Sequence, residues 1–195
     1  MTTHWVDAVT DAFGPFDGVV TVALDEVVVD VAARHWRDAA RSARDVLGLR
    51  FFDWLSAVDE LEGSYDVLMH LYSPDSRQRL LIRTRVGGAT GNLPVLASIT
   101  DVFAGASWHE RETCEMFGID FAGHPNLVPL LLPDGFQGHP LRKSFVLAAR
   151  AAKPWPGAKD PGESEHAAAP SRRKTLPPGV PDPAQWGPRS PEGQP

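Results

Sequence analysis

This sequence predicts an α+β fold, mainly an antiparallel sheet with flanking helices, followed by an extended Pro-rich C-terminal arm. Three observations carry that expectation. Alternating and β-branched apolar runs recur with short polar turns between them, which suits hairpins. Helical periodicity is confined to separate stretches flanking those runs, the segregation that marks α+β rather than a doubly wound sheet. Eleven of the 18 prolines fall between Lys153 and Pro195. With 195 residues the chain can bury one core, read as a domain over residues 1–150 with a tail over 151–195.

In order along the chain, residues 3–13 suit a short helix, with Thr3 as N-cap and Gly14 just past its end. Gly18–Ala23 and Glu26–Val31 form a hairpin around Leu24-Asp25, with Val27, Val29 and Val31 on one face. From Arg34 to Leu47 the period changes to helical: Trp36, Ala39, Ala40, Ala43, Val46 and Leu47 make one stripe, and Gly48 ends it. Strands follow at Phe51–Asp59, Tyr65–Tyr72 and Gln78–Val86, separated by Glu62-Gly63-Ser64 and Ser73-Pro74-Asp75-Ser76. Ser107 and Glu110 have capping-box spacing, which starts a helix at Trp108 and carries it to Gly118.

Composition excludes several functions. The chain carries net −6 and its last 43 residues net +1, so the domain itself is acidic and a poor fit to nucleic acid. A lone cysteine, Cys114, allows neither an internal disulfide nor a Cys-ligated zinc or iron–sulfur site within this chain. There is no Gly-x-Gly-x-x-Gly unit after a strand and no Walker loop. No apolar stretch is long enough for a bilayer span, and Met-Thr-Thr-His-Trp lacks the pattern of a signal peptide, which points to the cytoplasm.

The most distinctive stretch runs from Ser107 to Phe145. It holds Glu110-Arg111-Glu112, Phe117-Gly118-Ile119, and two turns, Gly123-His124-Pro125 and Gly138-His139-Pro140, the second continuing Leu141-Arg142-Lys143. Glycine frees one backbone dihedral and proline restricts another, so each turn holds its histidine in restricted geometry. The Glu110-Arg111-Glu112 cluster reads either as an internal ion-pair network or as a contact to another subunit. His109, Glu112 and Glu115 with His124 or His139 have the donor types for a metal, but the helix lacks the His-Glu-x-x-His spacing of a zinc enzyme and histidines in turns are commoner than ligands.

The segment from Trp108 to Phe145 resembles the motif of the 30-kDa subunit (the C subunit) of respiratory complex I, the NADH:quinone oxidoreductase. Ala57-Val58-Asp59 and Pro94 through Ala106 extend the resemblance upstream. It departs from the family pattern at Cys114, at Glu115 (usually Asp), at Val128-Pro129 and at Ser144. The resemblance implies a peripheral subunit with no redox centre of its own, on the cytoplasmic side of the membrane and tied to it only through the complex. NADH, FMN, iron–sulfur clusters and quinone would belong to partner subunits. It would brace the 49-kDa-type subunit and iron–sulfur subunits, with Glu110, Arg111, Glu112, His124, Pro125, His139, Pro140, Arg142 and Lys143 in fold-specifying or subunit contacts. Trp155 and Trp186, set among the tail prolines, read as anchors that dock the arm on a partner. The same module in a membrane-bound hydrogenase or other complex I-like oxidoreductase is the alternative, and a free-standing His/Glu metal-dependent hydrolase is a third.

Overall fold

The computed structural model describes residues 3–87 and 93–146. The tail, with Trp155 and Trp186 and the boundary at residue 150, lies outside the described residues. The chain divides into two compact units, one of Met1–Leu132 with His139–Ser144, the other of Pro133–Gly138 with the chain from Phe145 onward. The described part of the second is a turn in which the Phe136 N–H bonds the Pro133 carbonyl at 3.1 Å and the Phe136 ring lies 6.0 Å from that of Phe145.

The first unit is α+β. Its elements are α1 (Thr3–Phe13), β1 (Val19–Ala23), β2 (Glu26–Asp30), α2 (Trp36–Asp45), β3 (Phe51–Asp59), β4 (Ser64–Tyr72), β5 (Arg79–Gly87), β6 (Val95–Ala97), α3 (Ala106–Phe117) and β7 (Asp120–Ala122). The main sheet has five strands in the order β1-β2-β5-β4-β3, antiparallel except for the parallel β2–β5 pair. β6 and β7 form a small parallel pair of their own.

Alternation decides which face is buried. Val27 and Val29 of β2, Tyr65, Val67, Met69 and Leu71 of β4, and Leu80, Ile82 and Val86 of β5 join one core with Trp5, Val9 and Phe13 of α1, Trp36, Ala39, Ala40 and Ala43 of α2, and Phe117 of α3. The opposite face carries cross-strand pairs instead: Arg85 forks onto Asp66 at 2.6 and 2.8 Å, and His70 sits between Glu26 (2.9 Å) and Asp53 (2.8 Å). Leu24 and Asp25 turn the β1–β2 hairpin with φ of 51° and 61°, both positive as a type I′ turn requires.

Two sequence expectations need correction here. α2 starts at Trp36 after a short 3₁₀ turn and ends at Asp45, so Val46 lies outside the buried stripe, exposed. Gly48, at φ 71°, then lets the Leu49 N–H return to the Ala43 carbonyl at 3.0 Å. The Ser107–Glu110 capping box does not form. α3 begins at Ala106, and its entry is closed by backbone turns such as Ala106 N–H to Phe103 C=O (3.0 Å) and Ser107 N–H to Ala104 C=O (3.2 Å). Glu110 is thereby released to point into the core.

Candidate functional site: a clamp on helix α3

α3 packs on β3, where His109 meets Phe52 and Leu55, and buries Ala106, Glu110, Thr113 and Phe117, whose spacing puts them on one stripe. Glu110 is fully buried, yet it meets no cation. Its carboxylate accepts the Ser98 hydroxyl at 2.6 Å and the Ile99 N–H at 2.7 Å, fixing the strand end that leads into the helix. Burial raises its pKa, against the pull of the Ile99 and Ser98 bonds. The expected Glu110-Arg111-Glu112 ion-pair network is absent. Glu110 faces the core, Arg111 grips backbone and Glu112 is exposed, because consecutive helix positions point about 100° apart.

A neighbouring face, Ser107, Arg111 and Glu115 at four-residue spacing, holds the irregular segment that follows β7. At its near end the Asn126 N–H donates to His124 Nδ1 at 3.0 Å, so His124 Nε2 carries the proton and donates to the Ser107 carbonyl at 3.1 Å. Midway, Arg111 Nε and Nη2 donate to the Val128 and Pro129 carbonyls at 2.8 and 2.7 Å. One turn further, the Glu115 carboxylate accepts the N–H groups of Leu130, Leu131 and Leu132 at 3.0, 2.9 and 3.0 Å. The departure to glutamate at 115 therefore still supplies a carboxylate that reaches three amides.

The second Gly-His-Pro turn closes the far end of α3. The last turn of a helix leaves carbonyls without partners. Here Gly118, at φ 71°, donates its N–H to Cys114 C=O (2.8 Å), His139 Nδ1 donates to Glu115 C=O (2.8 Å), the Leu141 N–H to Met116 C=O (3.2 Å), and Arg142 Nε to Phe117 C=O (2.6 Å). The Arg142 charge also suits the negative end of the helix dipole and lies 5.6 Å from the Tyr65 ring centre. Lys143 contributes its backbone N–H, 2.8 Å from the Asp59 carboxylate, while its side chain is exposed. Pro125 is exposed and Pro140 half-buried, each beside its histidine.

The predicted residues His124, His139, Arg111 and Arg142 are thus brought to one helix, but to backbone groups along it rather than to one reactive point. No group of three His, Cys, Asp or Glu among the described residues could hold a metal ion. Glu112 touches neither turn. Ser107, Glu115, Ser98 and Asp59 are working members that were not among the predicted contact residues; the four-residue spacing of Ser107, Arg111 and Glu115 was the available signal. Because α3 grips the segment by its backbone, Val128 and Leu131 face outward, Leu131 59% exposed; Trp108 of α3 itself (63% exposed) and Leu141 are exposed as well. No helix among the described residues is long and apolar enough to cross a membrane.

The chain is 42% identical over 128 residues to the C subunit of the NADH-quinone oxidoreductase of Roseiflexus castenholzii, covering 64% of this chain and 72% of that one. It is 33% identical over 155 residues to the corresponding C subunit of Bordetella pertussis, covering 70% and 73%. The C/D subunit of the Acidiphilium cryptum enzyme matches at 35% over 148 residues, 71% of this chain but 24% of the longer relative. Among solved structures, a chain of the membrane-bound sulfane sulfur reductase, an archaeal respiratory membrane complex, shares the fold at a TM-score of 0.59 and 21% identity, over 67% of this chain and 76% of that one. Residues 29–151, which hold the end of β2, strands β3 to β7, α2, α3 and both Gly-His-Pro turns, match the respiratory-chain NADH dehydrogenase 30 Kd subunit, and the chain belongs to that family.

Proposed function

We propose that this chain is a non-catalytic peripheral subunit of an NADH-quinone oxidoreductase, bracing a 49-kDa-type subunit and iron–sulfur subunits at the cytoplasmic side of the membrane. NADH, FMN, the clusters and quinone are handled by those partners, and this chain carries no redox centre of its own. One observation carries the reading: α3 spends Arg111 and Glu115 on the backbone of residues 128–132, which leaves Leu131, Val128 and neighbouring Trp108 facing outward on a rigid support. Rigid, exposed apolar and aromatic side chains are what a docking surface needs, since little conformational entropy is left to lose on binding. The Acidiphilium cryptum relative, whose name joins C and D in one chain, supports a D-type neighbour.

The fold likeness to the sulfane sulfur reductase complex favours a second reading, the same bracing role in another complex I-like oxidoreductase. A tagged full-length chain recovered from solubilised membranes separates the readings. NADH-binding, 49-kDa-type and iron–sulfur subunits come down with it on the first; the latter two without an NADH-binding subunit favour the second. Recovery of neither a 49-kDa-type nor an iron–sulfur subunit overturns both. Leu131→Glu, which places a charge on the exposed apolar ribbon, reduces capture by roughly tenfold or more.

A further inference from the structure

The two edges of the main sheet are treated differently. At the β3 edge the register is broken between Phe52 and Trp54, and α3 lays His109 over the strand, its Nδ1 3.3 Å from the Leu55 N and 3.2 Å from the Leu55 carbonyl. Bulges and covering side chains are how sheet edges are protected from pairing with other chains. Among the described residues the β1 edge has neither. Its residues, Val19-Val20-Thr21-Val22-Ala23, carry no charge and no proline, pair with β2 in unbroken register and have no strand on their outer side among the described residues. Val19 and Val22 are exposed, and Leu24, fully exposed, occupies a turn position with positive φ where Asn or Gly is the usual choice.

The free backbone groups can be named. In a hairpin with a two-residue turn the flanking pair, here Ala23 and Glu26, exchanges both ladder hydrogen bonds, and the pattern then alternates. Thr21 and Val19 therefore also bond inward to β2, and the N–H and C=O groups of Val20 and Val22 point away from the sheet. A row of outward donors and acceptors at strand spacing is complemented by one ligand class, another extended strand.

We infer that the outer edge of β1 receives an uncharged extended strand from a partner subunit of the assembly, which extends the sheet by one strand. The inference rests on the subunit reading above. The chain's own tail is a poor donor: beyond residue 146 it holds two β-branched residues, Thr175 and Val180, among its many prolines. A second copy paired only through a five-residue strand falls well short of the roughly 1,200 Å² that stable interfaces bury. A partner already held at the α3 surface needs no such area from the β1 contact, because the second contact is then intramolecular.

Hydrogen–deuterium exchange on the full chain, free and in the purified complex, tests this. The Val20 and Val22 amides exchange rapidly in the free chain and slow by roughly 10- to 100-fold in the complex, equivalent to about 1.4–2.8 kcal/mol. Val22→Pro removes one outward donor at a position whose N–H takes no part in the β1–β2 hydrogen bonds, where proline is tolerated, and abolishes the added protection at Val20. Val22→Lys does the same through charge and leaves the backbone donor in place, so it covers a failure of the proline variant to fold. Equal exchange at both amides in free chain and complex overturns the inference, even where the complex itself is recovered. Protection that appears in the free chain as its concentration rises assigns the edge to a second copy and also overturns it.

Discussion

Glu115→Gln isolates the clamp with the smallest change in shape. In the native chain Oε1 accepts from Leu130 and Leu132 and Oε2 from Leu131, so three donors depend on one carboxylate. Glutamine keeps a single carbonyl oxygen. Placed at the Oε1 position it still serves Leu130 and Leu132, but the amide nitrogen then faces the Leu131 N–H, donor against donor. Flipping the amide loses two bonds rather than one. A lost hydrogen bond to a charged acceptor costs about 1.5–3 kcal/mol, which speeds local opening at Leu131 by roughly 10- to 150-fold. Amide exchange of the full-length chain reads this directly. The change should be concentrated at residues 130–132, and capture of partner subunits should fall although the Leu131 side chain is intact. An unchanged Leu131 exchange rate would refute the clamp, since no other acceptor for that N–H exists among the described residues.

The remaining predictions concern Glu110, Asp101 and Gly118. Glu110→Ala strands the Ile99 N–H inside the core, leaves the Ser98 hydroxyl with Thr100 alone and opens a cavity, and should cost about 3–5 kcal/mol by urea unfolding, whereas Glu110→Gln, which keeps an acceptor and a donor, should cost less than half of that. Because burial raises the Glu110 pKa from 4.5, its protonated form is favoured in the fold. Its contribution is full below pH 4.5 and declines as pH rises through the folded value, and Glu110→Gln should remove that decline from a stability–pH profile. Asp101 has the opposite sign: Arg37 above all, with Arg41, holds it at about 2, so its contribution is present above pH 3.8 and lost toward pH 2. Gly118→Ala places a methyl in left-handed backbone, where it overlaps the Arg142 guanidinium and the His139 ring, and should lower stability by about 2–4 kcal/mol in the same assay.

Local periodicity made much of this fold legible. The valine alternation around Leu24-Asp25 gave away the β1–β2 hairpin, and strands β3, β4 and β5 fall within one residue of the alternation that marks them. The parallel β2–β5 pair was not legible, because it joins segments separated by α2, β3 and β4 and leaves no trace in either strand's own pattern. β6 and β7, three residues each, are too short to show a period. At the site, the Gly-His-Pro turns stood out, but their targets did not. His139 and Arg142 serve carbonyls of Glu115 and Phe117, and a backbone acceptor carries no residue identity to read. Glu110 misled for the same reason: capping-box spacing was present, while its actual partners lie upstream at Ser98 and Ile99.

The charges at Arg111 and Glu115 matter by polarity, not by attraction to each other. Arginine can only donate and a carboxylate only accept, and the segment they hold presents carbonyls at Val128 and Pro129, then N–H groups at Leu130 to Leu132. The order along the helix therefore matches the order of free groups along the segment. Exchanging the two, Arg111→Glu with Glu115→Arg, preserves net charge and four-residue spacing but sets acceptor against acceptor and donor against donor. Were the pair a simple ion pair on the helix surface, the exchange would be worth only a few tenths of a kcal/mol. As a backbone clamp it should free residues 128–132 at least as fully as Glu115→Gln. The double variant should then show no rescue over either single one, because it loses both the two bonds of Arg111 and the three of Glu115. Amide exchange at Leu130 to Leu132 and partner capture both read the result, and recovery of either to the native level in the exchanged chain would show that charge, rather than donor and acceptor order, holds the segment.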